Sequence, residues 1–141
     1  MANVDLRRIA EDWERSGDIK GAHLAALGSI EGFEPFGDLV LTMAFAERTK
    51  TRGGIILTDK SHDEARFQGK CGLVIALGPQ AFQDDARLTF GGQRASVGDW
   101  VLTRPSDGVE FVKVGEGTPV LLRLFRDTQI MARVADPRQV W

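Results

Sequence analysis

Apolar residues near the start of the chain recur with the spacing of one helical face. Leu6, Ile9, Ala10 and Trp13 fall at i, i+3, i+4 and i+7. The pattern predicts an amphipathic helix over residues 1 to about 17, capped by Asn3 or Asp5 and ended by Gly17. Its other face carries Arg7, Arg8, Glu11, Asp12 and Glu14. Trp13 either packs on its own domain, the more ordinary outcome, or docks on a neighbouring subunit. Residues 18–36 are broken by Gly21, Gly28, Gly32 and Pro35, with room for one or two helical turns over Ala22 to Leu27. His23 lies here without catalytic company and reads as a satisfied or exposed side chain. Residues 1–34 are therefore read as an N-terminal helical and irregular extension, and 35–141 as the main domain.

From Phe36 onward the pattern turns to short β-strands. Leu39, Val40, Leu41 and Met43 make a first strand behind Asp38. Gly69 to Leu77 is a second, nearly all apolar at its end and so buried, and Gly78-Pro79 stops it. Cys71 within it reads as a small buried hydrophobe. Residues 79–96 form a long excursion, readable as a hairpin with Phe82 on one arm, Leu88 and Phe90 on the other, and Asp84 and Asp85 near the tip. Val97-Gly98-Asp99 turns the chain into a strand from Trp100 to Thr103. Ser106-Asp107-Gly108 turns it back into Val109 to Val114, and Gly115 to Pro119 into the strand 119–125; Ile130 to Val134 closes the series. Short strands at close spacing, split by glycine turns, predict an all-β fold, a small barrel.

One stretch breaks the pattern. Ala46 to Ala65 is polar and glycine-rich except for the bare triplet Ile55-Ile56-Leu57, preceded by Gly53-Gly54. On composition alone the ordinary reading is a short strand entered through a glycine turn. The sharper reading is a flexible loop that presents an apolar plug to a partner.

Composition narrows the chemistry. The 141 residues and 43% apolar content suit one domain with a real core. A net charge of -2, with both signs interspersed, leaves no basic block for phosphates, so nucleic acid is not an expected partner. The single cysteine cannot form an internal disulfide. Neither a signal-peptide-like run nor a stretch of the roughly 18 apolar residues of a membrane span is seen, and a soluble, cytoplasmic chain is expected. GxSxG, HExxH and GxxxxGK[ST] are all missing, and the two histidines, His23 and His62, have no visible partner nucleophile. Adjacent acids such as Asp84 and Asp85 would face opposite ways on a strand. An enzyme using Asp84, Asp85 or His62 is the weakest of the options, and no metal or cofactor is expected.

Taken in order, several local patterns carry a resemblance. They are Gly37-Asp38-Leu39-Val40-Leu41, then the polar loop with Gly53-Gly54-Ile55-Ile56-Leu57. Next come Gly69 to Gly78 with Val74 and Ala76, then Val97-Gly98-Asp99 followed by Val101, and a final apolar strand pair. Over roughly Phe36 to Ala135 the chain resembles the GroES-like co-chaperonins, the lids of chaperonin cages. That resemblance implies a Greek-key-like β-barrel with a mobile loop over Glu47 to about Glu64 and a roof hairpin over 79–96. It implies chaperonin binding by Gly53, Gly54, Ile55, Ile56 and Leu57, and a last strand pairing across a subunit boundary. The expected partners are a GroEL-like chaperonin with its enclosed client and six further copies in a heptameric ring. The extension of some thirty residues, the longer C-terminus and the lack of tyrosine depart from ordinary members and suggest a bacteriophage-encoded one, with a capsid protein as client. Ordering such a loop offsets much of what three aliphatic anchors release, so one loop should bind weakly and a ring of loops by avidity. The competing expectation is a virion or ring protein that reuses the barrel, with Trp13 and Trp141 as docking elements.

Overall fold

The structure, a computed structural model, describes residues 6–47, 70–86, 88–114 and 119–140. Helix α1 runs Leu6–Ser16 and buries the anticipated stripe Leu6, Ile9, Ala10 and Trp13. Gly17 ends it in the left-handed region, at φ 78, where its amide bonds back to the Trp13 carbonyl at 2.8 Å. Helix α2, Ile19–Leu27, is longer than the turn or two anticipated over Ala22 to Leu27. The signal for its start was Asp18, whose carboxylate accepts from the Gly21 amide at 2.9 Å. Gly21 matters to that cap, because a Cβ there would collide with the Asp18 carboxylate.

Among the described residues six strands follow: β1 Leu39–Ala44, β2 Cys71–Leu77, β3 Trp100–Leu102, β4 Val109–Lys113, β5 Val120–Arg126 and β6 Ala132–Val134. They form one antiparallel sheet in the order β4-β5-β1-β2-β3-β6. A meander β1-β2-β3 with β5 returning beside β1 is a Greek-key arrangement. With two helices at its N-terminal end, this is the small barrel with a helical extension that the sequence predicts. The first two strands are registered by pairs such as Val40 with Leu77 and Met43 with Leu73, but Ile75 is skipped between Leu41 and Thr42. That bulge turns Ile75 and Ala76 toward the same side, which alternation alone would forbid.

The sheet is covered on both faces. On one, Leu41, Met43, Leu73, Ile75, Trp100, Val120 and Leu122 share a cluster with Leu6, Ile9, Ala10, Trp13 and Leu27 of the helices. Burying each large aliphatic or aromatic here is worth up to roughly 1.5–3 kcal/mol, so the extension is held firmly to the barrel. On the other face, Val40, Val74 and Val101 meet Ala81 and Ala95 from the 79–96 excursion. The β3–β4 connection crosses the same face: Arg123 Nη2, from the middle of β5, donates to the carbonyls of Pro105 and Asp107, each at 2.7 Å.

The excursion reverses where anticipated, but without a strand ladder among its described residues. The Asp85 amide reaches the Leu88 carbonyl at 2.9 Å. Asp85 Oδ1 accepts from the Leu88 amide at 2.8 Å, and Asp84 Oδ1 from the Phe90 amide at 2.7 Å. The rings of Phe82 and Phe90 meet edge to face, with centroids 5.4 Å apart. Side chains thus do the work a backbone ladder would otherwise do. The C-terminal run ends in a short 3-10 turn, Pro137–Gln139, capped by Asp136, which the sequence reading left undivided.

Candidate functional site

The residues expected to bind a partner, Gly53, Gly54, Ile55, Ile56 and Leu57, lie outside the described residues, as does His62. The structure does describe where that segment leaves and re-enters the barrel. Its roots are the ends of two neighbouring antiparallel strands, Ala44 on β1 paired with Gly72 on β2. Past the last pair, the Phe45 amide still donates to the Cys71 carbonyl at 3.1 Å, and the Thr103 amide holds the Lys70 carbonyl at 2.8 Å. Gly72 sits close under Thr42, where a Cβ would lie 3.2 Å from Thr42 Oγ1.

The departing root is the more elaborate of the two. Trp13 Nε1 donates to the Ala46 carbonyl at 2.8 Å, and the Ala46 amide donates to His23 Nε2 at 2.9 Å. His23 Nδ1 lies 2.8 Å from the Ile19 carbonyl. A peptide N–H can only donate and a carbonyl only accept, so the imidazole is neutral with its proton on Nδ1. Burial drives its pKa down to about 4, only partly opposed by the bond to Ile19. Phe45 is flanked by aromatic rings: Trp13 at 6.0 Å, His23 at 5.7 Å and, edge-on, Trp100 at 5.4 Å between centroids. Trp13 therefore packs on its own chain, as the ordinary reading had it, and His23 is satisfied and buried. Sequence reasoning did not find that both converge on Ala46. The available signal was an indole and an imidazole placed ten residues apart in the extension.

Other chemistry-bearing groups are engaged structurally. Asp84 and Asp85 are exposed, and each spends an oxygen on the reversal. The Cys71 thiol is half-buried and free. Burial, with the nearby Glu47 charge, pushes its pKa up to about 12, which makes it a poor nucleophile. Asp127 Oδ2 accepts from the Phe82 amide at 3.0 Å and so supports the unusual φ of 60 at Phe82. A cleft of about 700 Å³ lies beside it, lined by Phe82, Phe90, Ile130 and Met131 among others. Among the described residues no cluster of His, Cys, Asp or Glu is disposed to hold a metal ion. No described helix is long and apolar enough to cross a membrane.

The family model for the chaperonin 10 Kd subunit, Cpn10, matches residues 32–134. The chain belongs to that family. The matched co-chaperonin span starts just before Asp38 and ends at the close of β6, so α1 and α2 precede it. The co-chaperonin GroES of Caulobacter vibrioides is 36% identical over 72 residues, 48% of this chain and 71% of that protein. The co-chaperonin GroES of Parvibaculum lavamentivorans is 35% identical over 99 residues, 70% of this chain and 85% of that one. Co-chaperonin GroES 1 of Rhodopseudomonas palustris is 32% identical over 102 residues, covering 72% and 94%. Membership in this co-chaperonin family identifies a non-enzymatic protein-folding factor.

Proposed function

We propose that this co-chaperonin forms a ring-shaped lid, a heptamer, that caps an ATP-driven, GroEL-like chaperonin through the segment between β1 and β2. Ile55, Ile56 and Leu57, preceded by Gly53 and Gly54, are the apolar anchor. The observation that carries this reading is the family match across 32–134 joined to the geometry of the roots. Two adjacent antiparallel strand ends, held at Phe45 and Cys71, launch a polar segment with a single aliphatic triplet from one edge of a rigid barrel. Ring formation draws support from β6, an edge strand that pairs only with β3 among the described residues. The protein needs no cofactor of its own, because the chaperonin hydrolyses the ATP.

The extension ahead of the family span fits a phage-encoded member that works in the host cytoplasm on a capsid protein. Neither nucleic acid nor membrane figures among its partners in this account. The test is co-elution of the full chain with a bacterial chaperonin, with and without nucleotide, for wild type and Ile56→Asp. Nucleotide-dependent capture of wild type, lost in Ile56→Asp while the barrel stays folded, is the expected result. Capture that survives Ile56→Asp sinks the anchor assignment. Failure of wild type to bind the chaperonin of its proper host favours a structural use of the barrel.

A further inference from the structure

We propose that the N-terminal helix pair is a clamp on the departing root of the loop, with Trp13 and His23 as positioning residues. Both polar atoms of the residue-46 backbone are held by it: the carbonyl by the Trp13 indole N–H and the amide by His23 Nε2. One bond comes from each helix, so displacing either helix frees one side of Ala46. Phe45, one residue earlier, is wedged among Trp13, His23 and Trp100, while its amide stays on the β2 root at Cys71. The Trp13 ring joins Leu6, Ile9, Ala10 and Leu27 in the buried cluster, while its indole N–H is directed outside the helix, to Ala46. Ala46 itself is fully buried, although the regular β1–β2 pairing ends at Ala44. The clamp therefore extends order beyond the sheet by two residues and fixes the direction in which the chain leaves the barrel. In binding terms a fixed root reduces the freedom the loop must lose on docking. That consequence rests on the lid reading above, whereas the clamp itself does not.

The experiment is residue-resolved amide hydrogen exchange on the full chain, alongside chaperonin co-elution, for wild type, Trp13→Phe, His23→Leu, His23→Gln and Ile56→Asp. Trp13→Phe keeps an aromatic ring and removes only the donor; His23→Gln keeps an acceptor that His23→Leu lacks. The Ala46 amide should be protected in wild type and exchange about tenfold faster in His23→Leu, the loss of one buried hydrogen bond, with recovery in His23→Gln. The core amide of Leu122 should keep its wild-type rate in both His23→Leu and Trp13→Phe. Chaperonin capture should fall several-fold in Trp13→Phe and His23→Leu, while Ile56→Asp leaves the Ala46 amide protected. An unprotected Ala46 amide in wild type overturns the clamp. So does acceleration of Ala46 only in step with Leu122, which would make the helices general stabilisers. Released Ala46 with undiminished capture overturns the positioning claim. If wild type is not captured at all, the lid reading falls, and the Ala46 exchange rate still decides whether the clamp exists.

Discussion

Lowering the pH from 7 to 5 should destabilise this protein through one buried imidazole. His23 is fully buried, its Nε2 is occupied as an acceptor, and its pKa is lowered from 6.5 to about 4. Protonation in the folded state would set an N–H against the Ala46 N–H in an apolar pocket walled by Phe45 and Trp100. The unfolded chain takes up the proton near pH 6.5, before the folded one does. The contribution is therefore whole above pH 6.5 and is lost as the pH falls toward 4. Linkage gives a loss of about 2 kcal/mol by pH 5 and about 3 kcal/mol by pH 4, with a slope of at most about 1.4 kcal/mol per pH unit. Against a typical domain stability of roughly 5–15 kcal/mol this is large. Urea unfolding at pH 7, 6 and 5, at one fixed protein concentration because assembly shifts apparent stability, reads the effect. His23→Gln, which cannot titrate, should lose about 2 kcal/mol less than wild type between pH 7 and 5. Parallel curves for the two proteins, or an NMR titration placing His23 at or above 6.5, would refute the reasoning.

Three further outcomes follow from particular contacts. Gly108→Ala should lower stability by about 2 kcal/mol or more, because φ there is 85 and a Cβ would lie 2.7 Å from the Phe125 ring; urea unfolding checks it. Gly78→Ala should be worse tolerated still, since its Cβ would strike the Gly37 carbonyl, a backbone atom that cannot rotate away; soluble yield and thermal unfolding report it. Cys71 should resist alkylation in the folded protein at pH 8 and react promptly in urea, since its thiolate is disfavoured by burial and by Glu47; labelling followed by mass spectrometry distinguishes the two.

The β pattern was legible because the strands are short, apolar and separated by glycine turns. Each of the six appears within a residue or two of its predicted bounds. The α1 stripe was legible for the same reason, a period set by one buried face. Helix α2 was only half seen, because its start depends on the Asp18 cap and on the missing Cβ of Gly21 rather than on periodicity. The bulge at Ile75 could not be read, since a continuous apolar run hides the change of face. The reversal at Asp85 to Leu88 was placed correctly but not its mechanism, because side-chain acceptors replace the ladder. The apolar triplet Ile55-Ile56-Leu57 stands out in its polar segment, and it lies outside the described residues. The bonds from Trp13 and His23 to Ala46 span sequence separations of 33 and 23, and no local pattern encodes them.

The most direct test of the lid proposal is native mass spectrometry of the full chain mixed with a bacterial chaperonin, with ATP and without. The expected result is a nucleotide-dependent species carrying seven copies of the chain on one chaperonin end, absent for Ile56→Asp. A chain that stays apart from the chaperonin with ATP present, or one that binds equally well without nucleotide, would contradict it.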